Sequence, residues 1–285
     1  MMKYGNLHLH STHSDCEFRP GLLPRLAKSL GYSALALTDH EAISGLPELF
    51  AAAKAEGMEV MSGAEFYGKH NGKSFHLVGL DFDYKNKQLN EFIDVLTENQ
   101  VKHMQEIVKD AVGRGVWPNV TWDDILRHNP PSIRWFCNDQ IYHALDEMGI
   151  VEFSDRDTTW YDAFRAGEAY KKYKPQRFSA KEVIDVIHAA GGLAILAHPD
   201  EESFDGGYVE SMIEIGLDGI ETCHPDITER AVKLGHHMAM KHNLYCSGGT
   251  DHTGPMSACG GQYAIPAYQG VTEDEYKAIK ERRFG

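Results

Sequence analysis

Short apolar runs in this chain keep ending in histidine or carboxylate. Leu7-His8-Leu9-His10 closes the first, with Asp15 soon after in Ser14-Asp15-Cys16. Ser33-Ala34-Leu35-Ala36-Leu37 runs into Thr38-Asp39-His40, and Met58 to Glu65 ends on the glutamate. A run from Phe75 to Phe82 opens with Phe75-His76. Leu193–Ala197 leads to His198-Pro199, and Leu244–Ser247 leads through Gly248-Gly249-Thr250 to Asp251-His252. In parallel α/β folds ligands bind at the carboxyl ends of strands. A lone histidine at a strand tip is most simply a hydrogen-bonded residue. Chance placement at the same end of successive strands is a poor account of the whole set.

The segments between these runs are helical. Leu22–Leu30 has Pro24 near its start and Gly31 just past its end, and Gly57 stops a helix over Leu46–Glu56. Ser179-Ala180-Lys181-Glu182 is a capping box that opens a helix ending at Gly191-Gly192. A strand at Gly219–Thr222 and a helix precede the strand at 244–247, and Thr272 caps a last helix. Strands alternating with helices predict a parallel sheet, with His70-Asn71-Gly72 as a hairpin turn.

From about Lys87 the texture changes. Phe92, Ile93, Leu96, His103, Ile107 and Ala111 recur at threes and fours, predicting one long amphipathic helix over Asn90–Gly113. Further helical stretches are expected at Asp123–His128, Asp139–Met148 and Trp160–Tyr170. Pro130-Pro131 and Ser154-Asp155-Arg156-Asp157 break them. The expected organisation is an α/β barrel made of residues 1–84 and 179–285, interrupted by a mainly helical insertion over 85–178. A chain of 285 residues suits one domain with such an insertion.

Charge and cysteine content narrow the partners. Lys plus Arg number 28 and Asp plus Glu 42, so the net charge is 28 − 42 = −14. With no basic run, the chain is a poor candidate for gripping long nucleic acid or an anionic membrane. No apolar run approaches the roughly 20 residues of a membrane span, and Met1–Asn6 shows no signal peptide. Cys16, Cys137, Cys223, Cys246 and Cys259 form no Cys-x-x-Cys pair, which predicts free thiols and a cytoplasmic protein.

His8 and His10, two apart, share one face of a strand. Histidines and carboxylates converging without thiolates fit Zn²⁺, Mn²⁺ or Fe²⁺. Other histidines have plainer readings. His103, His188 and His242 fall within helices, His70 in a turn and His236-His237 in mid-helix, while His128 and His143 could face a substrate from the insertion. Cys223 and Cys246, beside strand ends, read as small buried residues.

The set His8-x-His10-Ser11-x-x-Ser14-Asp15, Thr38-Asp39-His40, Gly63-Ala64-Glu65, Phe75-His76, Ala197-His198-Pro199 and Gly219-Ile220-Glu221 resembles the PHP (polymerase and histidinol phosphatase) family. Most similar are its stand-alone phosphoesterases, which include nucleoside 3′,5′-bisphosphate phosphatases and phosphodiesterases acting on cyclic ribose phosphates. The resemblance implies a distorted (β/α)7 barrel with two or three divalent metal ions. It would put one ion on His8, His10, Glu65 and Asp251, and a second on Glu65, His76 and His198. Asp15 and His40 would begin a third site, and Asp39 would stand behind the ligands. A carboxylate bridging two ions is what a two-metal hydrolase needs.

Three departures stand out. The family ends in Asp-x-His, whereas here His252 follows Asp251 directly and Thr253 takes the histidine's place. Ser-Asp-Gly becomes Ser14-Asp15-Cys16. The insertion's Arg-Pro-His has no counterpart around Arg134-Trp135-Phe136-Cys137-Asn138-Asp139-Gln140. In a regular strand Asp251 and His252 would face opposite ways. Gly248-Gly249 permits a bend, so the expectation is that His252 completes the third site.

The reaction implied is hydrolysis of a phosphate ester by hydroxide raised on two ions. Asp15 or Asp251 could serve as general acid–base, and Glu65 would bridge. Substrate-facing candidates are His224, Arg19, Arg134 and Arg177, though a solvated surface charge is the plainer reading of each arginine. A helical roof over the strand ends suits a small nucleotide or ribose phosphate better than a polymer. The alternatives are metal-dependent hydrolysis of a C–N bond and a non-catalytic, metal-bound PHP module.

Overall fold

The protein is described from a computed structural model, over residues 3–152, 166–172, 178–254 and 269–283. Strand β1 (Gly5–Asn6) pairs parallel with β2 (Ala34–Leu37), and β2 pairs parallel with β3 (Glu59–His70). Helices α1 (Leu23–Ser29) and α2 (Leu46–Glu56) make the crossovers; Gly57, at φ 64°, ends α2 in the left-handed conformation that glycine adopts without steric cost. Strand β3 then reverses through Asn71 (φ 49°) and Gly72 (φ 81°) into β4 (Lys73–Leu80). Two successive positive φ values are the mark of a tight hairpin turn.

The helices α3 (Lys87–Gly113), α4 (Trp122–Arg127), α5 (Asn138–Glu147) and α6 (Glu168–Lys172) follow. Thr121 with Asp124 caps α4, and Cys137 with Gln140 caps α5. Short β5 (Phe178–Ser179) adds to the side of β3, and Ser179 with Glu182 caps α7 (Ala180–Ala189). Strands β6 (Leu193–Leu196), β7 (Gly219–Cys223) and β8 (Tyr245–Gly248) complete the sheet, with α8 (Tyr208–Glu214) and α9 (Glu229–His242) between them and α10 (Glu273–Glu281) last.

The sheet runs β1-β2-β3-β4-β6-β7-β8. Its two ends meet where Leu7 N–H donates to Gly248 O at 3.1 Å and His10 N–H to His252 O at 2.9 Å. The result is the expected distorted seven-stranded α/β barrel. It is not wholly parallel: β4 runs against both β3 and β6. The hairpin forces this reversal, and it explains why His76 stands near the start of its strand. The start of an antiparallel strand lies at the rim where the parallel strands end. The first ladder is also shorter than expected, since Leu7–His10 continues past β1 as extended chain.

Alternation places Leu7, Ala34, Ala36, Met61, Val78, Ile195 and Tyr245 in one buried cluster. Leu35, Leu37, Phe66, Leu77, Leu196 and Ile220 fall in another, with residues of the helices that cover the strands. Helix α3 spans two cores. Leu89, Ile93 and Leu96 join the barrel's cluster, while Met104, Ile107, Val108 and Ala111 pack with Trp117, Ile125, Phe136, Ile141 and Leu145. Among the described residues no helix is long and apolar enough to cross a membrane. Of the helix expected at Trp160–Tyr170, residues 160–165 lie outside the described residues, as do Arg177 and Cys259.

Candidate metal centre

The polar rim is built by the segments leaving the strands. Thr38 Oγ1 both accepts from Leu9 N–H and donates to Leu9 O, at 3.0 Å each, and so fixes the spacing of the first two strand ends. Asp39 accepts from Ser11 N–H (2.7 Å), Ser11 Oγ (2.6 Å) and Ser14 Oγ (2.6 Å), pinning the loop that carries Asp15. Its place is thus behind the converging groups. The backbone is strained around them: Glu41, His198 and Asp251 all have positive φ, at 47°, 28° and 49°. Such conformations cost of order 1–3 kcal/mol each and persist where the surroundings over-determine them.

Glu65 is the hub. Its Oε1 lies 2.9 Å from His76 Nδ1 and 3.1 Å from His198 Nε2, and its Oε2 lies 2.8 Å from His40 Nδ1, 3.5 Å from His8 Nε2 and 3.6 Å from His10 Nε2. Asp251 Oδ1 reaches His10 Nε2 at 2.8 Å and His8 Nε2 at 3.4 Å. Asp15 Oδ2 sits 3.3 Å from His40 Nε2. The structure therefore brings together His8, His10, Glu65 and Asp251; Glu65, His76 and His198; and His10, Asp15 and His40.

Burial here works against charge, yet the charges hold. It would raise the carboxyl of Glu65, but His40, His8 and His76 hold it well below the usual range. Asp251 is likewise held well down by His8 and His10 against its burial. Burial would lower His8 and His40, and the neighbouring carboxylates push both well up: Glu221, Asp251 and Glu65 on His8, Asp15 and Glu65 on His40. A buried set of this kind fits divalent cations on its own chemistry. His8 Nε2 and Asp15 Oδ1 are buried and make no hydrogen bond. The ligand atoms within each group lie within 4.8 Å of one another. Ligands about 2.1 Å from a shared ion stand no more than about 4.2 Å apart, and the contacts of Glu65 and Asp251 with His8, His10, His76 and His198, at 2.8–3.6 Å, fall within that.

Three expectations need correcting. His252 does not join Asp15 and His40; its ring packs against Phe18 at 5.3 Å between centroids, and it belongs to none of the convergent groups among the described residues. The loop does bend, but at Asp251 itself, and the bend sends the next side chain away. His10 stands in the third group instead. A neutral imidazole has one lone pair, and His10 Nε2 already faces Asp251 and Glu65. His224 was expected to face substrate, but its side chain is fully buried, with Nε2 3.3 Å from Asp251 Oδ2. Arg134 pairs with Asp94 at 3.0 Å and lines a different cavity from Asp15.

Arg19 fits better. It lines a cavity of about 310 Å³ with Asp15, Cys16, Ile133, Tyr142 and His143, between the Asp15 loop and α5. His128 pairs with Glu147 at 3.1 Å and does not line that cavity. Sequence reasoning quoted Glu221 within a motif but gave it no role, and it missed three further contributors. Glu221 accepts from His8 Nδ1 at 2.8 Å, and the hydroxyl of Tyr67 is 2.6 Å from His40 Nδ1. Trp135 Nε1 donates to Glu41 Oε2 at 3.3 Å, and Gln140 Nε2 donates to Ser14 O. An acid inside the buried strand Gly219-Ile220-Glu221 was a readable signal for the first. Tyr67, two residues beyond Glu65 on the same face, was another. Nothing local marks Trp135 or Gln140, whose contacts depend on how the helices dock.

The PHP domain family model matches residues 6–129. A 5′-3′ exoribonuclease of Haemophilus influenzae is 29% identical over 88% of this chain and 90% of its own length. A phosphoribosyl 1,2-cyclic phosphate 1,2-diphosphodiesterase of Eggerthella lenta is 25% identical over 87% of this chain and 94% of its own. The fold matches that of a proposed metal-dependent phosphoesterase of Bifidobacterium adolescentis with TM-score 0.80 and 22% identity, over 99% of this chain and 97% of that one.

Proposed function

We propose that this chain, whose residues 6–129 match the PHP domain family, is a phosphoric ester hydrolase acting on a small ribose-containing phosphate. The observation that carries the reading is Glu65, buried and shared between two convergent groups of histidines and carboxylates. His8, His10, Glu65 and Asp251 would hold one divalent ion, and Glu65, His76 and His198 a second, with Mn²⁺, Fe²⁺ or Zn²⁺ suited to such ligands. Ions so bound lower the pKa of water towards neutrality and offset charge on a phosphoryl group.

The residues around them have separate tasks. Glu65, with one oxygen towards each group, fixes the spacing of the two sites. Asp251 and Asp15 keep carboxylates beside the two ring nitrogens of His10, where either could take or return a proton. Asp15 also lines the cavity, and Arg19 beside it is placed to meet a phosphate oxygen. Ile133 and Tyr142 offer apolar surface for the rest of the substrate. The reading includes residues 85–178 as a cap over the strand ends, with Trp135 and Gln140 docking it to the loops of the site. A cavity of about 310 Å³ is near the lower end of small-ligand pockets. That size, and a net charge of −14, favour a mononucleotide or sugar phosphate over a long nucleic acid.

A phosphate-release screen with Mn²⁺ over nucleoside 3′,5′-bisphosphates, cyclic ribose phosphates and 5′-phosphorylated RNA tests this. Turnover of a small ester is expected. Processive digestion of RNA with no small-ester turnover would overturn the substrate reading, and no phosphate from any substrate would overturn the reaction.

A further inference from the structure

We infer that Glu221 is a positioning residue that ties the two ion-binding groups together, and that His8, Glu221 and His224 are not an ion site of their own. The inference rests on the ligand assignment just proposed. The three side chains do converge closely enough to suggest another site, so their hydrogen bonding decides the matter.

Both oxygens of Glu221 are engaged by groups that also serve the centre. Oε1 accepts from His8 Nδ1 at 2.8 Å, and Oε2 accepts from the backbone N–H of His198 at 2.7 Å. When His8 gives up its second proton to an ion, the one that remains is held on Nδ1 and the lone pair is left on Nε2. That atom points between Glu65 Oε2 (3.5 Å) and Asp251 Oδ1 (3.4 Å). The second contact holds His198 at its unusual φ of 28°. In that conformation the His198 ring turns back, with Nε2 3.1 Å from both Glu65 Oε1 and His76 Nδ1. One buried carboxylate thus orients a ligand of the first ion and a ligand of the second.

His224 completes the tier in the same way. Its Nδ1 accepts from Asp226 N–H at 3.1 Å, which places the ring proton on Nε2, 3.3 Å from Asp251 Oδ2. A histidine with its lone pair taken and its other nitrogen protonated has nothing to give a cation. Strand β7 and the residue that follows it therefore supply orientation to His8, His198 and Asp251. Partners of this kind fix the tautomer and aim of metal-ligating histidines.

Glu221→Gln is the informative variant. The two donors meet different oxygens of Glu221, and a carboxamide replaces one of those oxygens with an NH2 donor, so one of His8 Nδ1–H and His198 N–H loses its acceptor. Binding of Mn²⁺ to wild type, Glu221→Gln and His224→Asn should be titrated by electron paramagnetic resonance of the free ion, without substrate. Glu221→Gln should weaken both sites together by roughly 10–100-fold with the stoichiometry at saturation unchanged. His224→Asn should weaken only the one that uses Asp251. Loss of one equivalent with the rest unaltered would show an ion on Glu221 and overturn the inference, as would an unchanged isotherm. Nitrogen NMR of the histidines in Zn²⁺-loaded wild type needs no variant. A proton on His8 Nδ1 is expected, and one on Nε2 would refute the assignment. A wild type that binds no metal would instead fail the proposed function.

Discussion

The rim of the barrel and the helical region beyond α3 are stabilised in opposite ways. At the rim His8, His10, Asp15 and Glu65 lie buried beside the partly buried Asp251, and several carry an unsatisfied atom or a strained backbone. In the helical region Ile107, Trp117, Ile125, Ile141 and Leu145 form an apolar cluster of ordinary kind. The first arrangement trades stability for a cation site, because buried ionisable groups cost free energy unless something compensates them. The second does the reverse. Helix α3 joins them, with its first half in one core and its second half in the other.

The contrast predicts that substitutions at the rim act on function and substitutions in the helical core act on stability. Glu65→Gln gives the largest effect. The amide keeps the volume but removes the charge shared by two groups, so turnover should fall by about 100-fold or more. Circular dichroism should show the fold intact. Near-normal turnover would mean that Glu65 bridges nothing.

Ile141→Ala tests the other side. Ile141 is completely buried on α5, and truncation of such a residue costs about 2–5 kcal/mol. Urea unfolding should show that loss while the Mn²⁺ affinity of the folded protein stays within a few-fold. A large fall in affinity would erase the distinction between the regions and show that Trp135 and Gln140 transmit helical packing to the ligands.

Legibility followed the same divide. The helices were readable because α3 repeats apolar residues at threes and fours and because Ser179, Thr272 and Gly57 mark ends by local chemistry. The convergent set at the rim was readable because each member sits at the tip of its own apolar run. What escaped depends on atoms far apart in sequence. His252 was expected at the third group because glycines precede it, but the positive φ falls on Asp251 and turns the ring onto Phe18. His224 lay at a strand end like the others, yet its place behind Asp251 is set by the closure of β8 on the first strand. Polar contacts such as Trp135 to Glu41 carry no periodic signal at all.

A last prediction sharpens the comparison with an ion pair that belongs to neither region. His188, at the end of α7, places Nε2 2.7 Å from Asp218 Oδ2, which also accepts from Ala194 N–H at 2.8 Å. The hydrogen bond to Asp218 raises the His188 pKa above 6.5, against a smaller lowering by burial. A folded-state pKa raised in this way contributes stability that is complete below the unfolded value and lost as pH rises through the folded one. The side chain is 38% exposed, so solvent screens the pair and limits its worth to less than about 1 kcal/mol. His188→Ala should therefore destabilise the protein slightly at pH 6 and by less at pH 9, measured by urea unfolding of the metal-loaded protein. A loss that is equal at both values, or larger at pH 9, would show that Asp218 works through Ala194 alone. In that event the charge on His188 does nothing, and ionisable groups matter to this fold only where they converge at the rim.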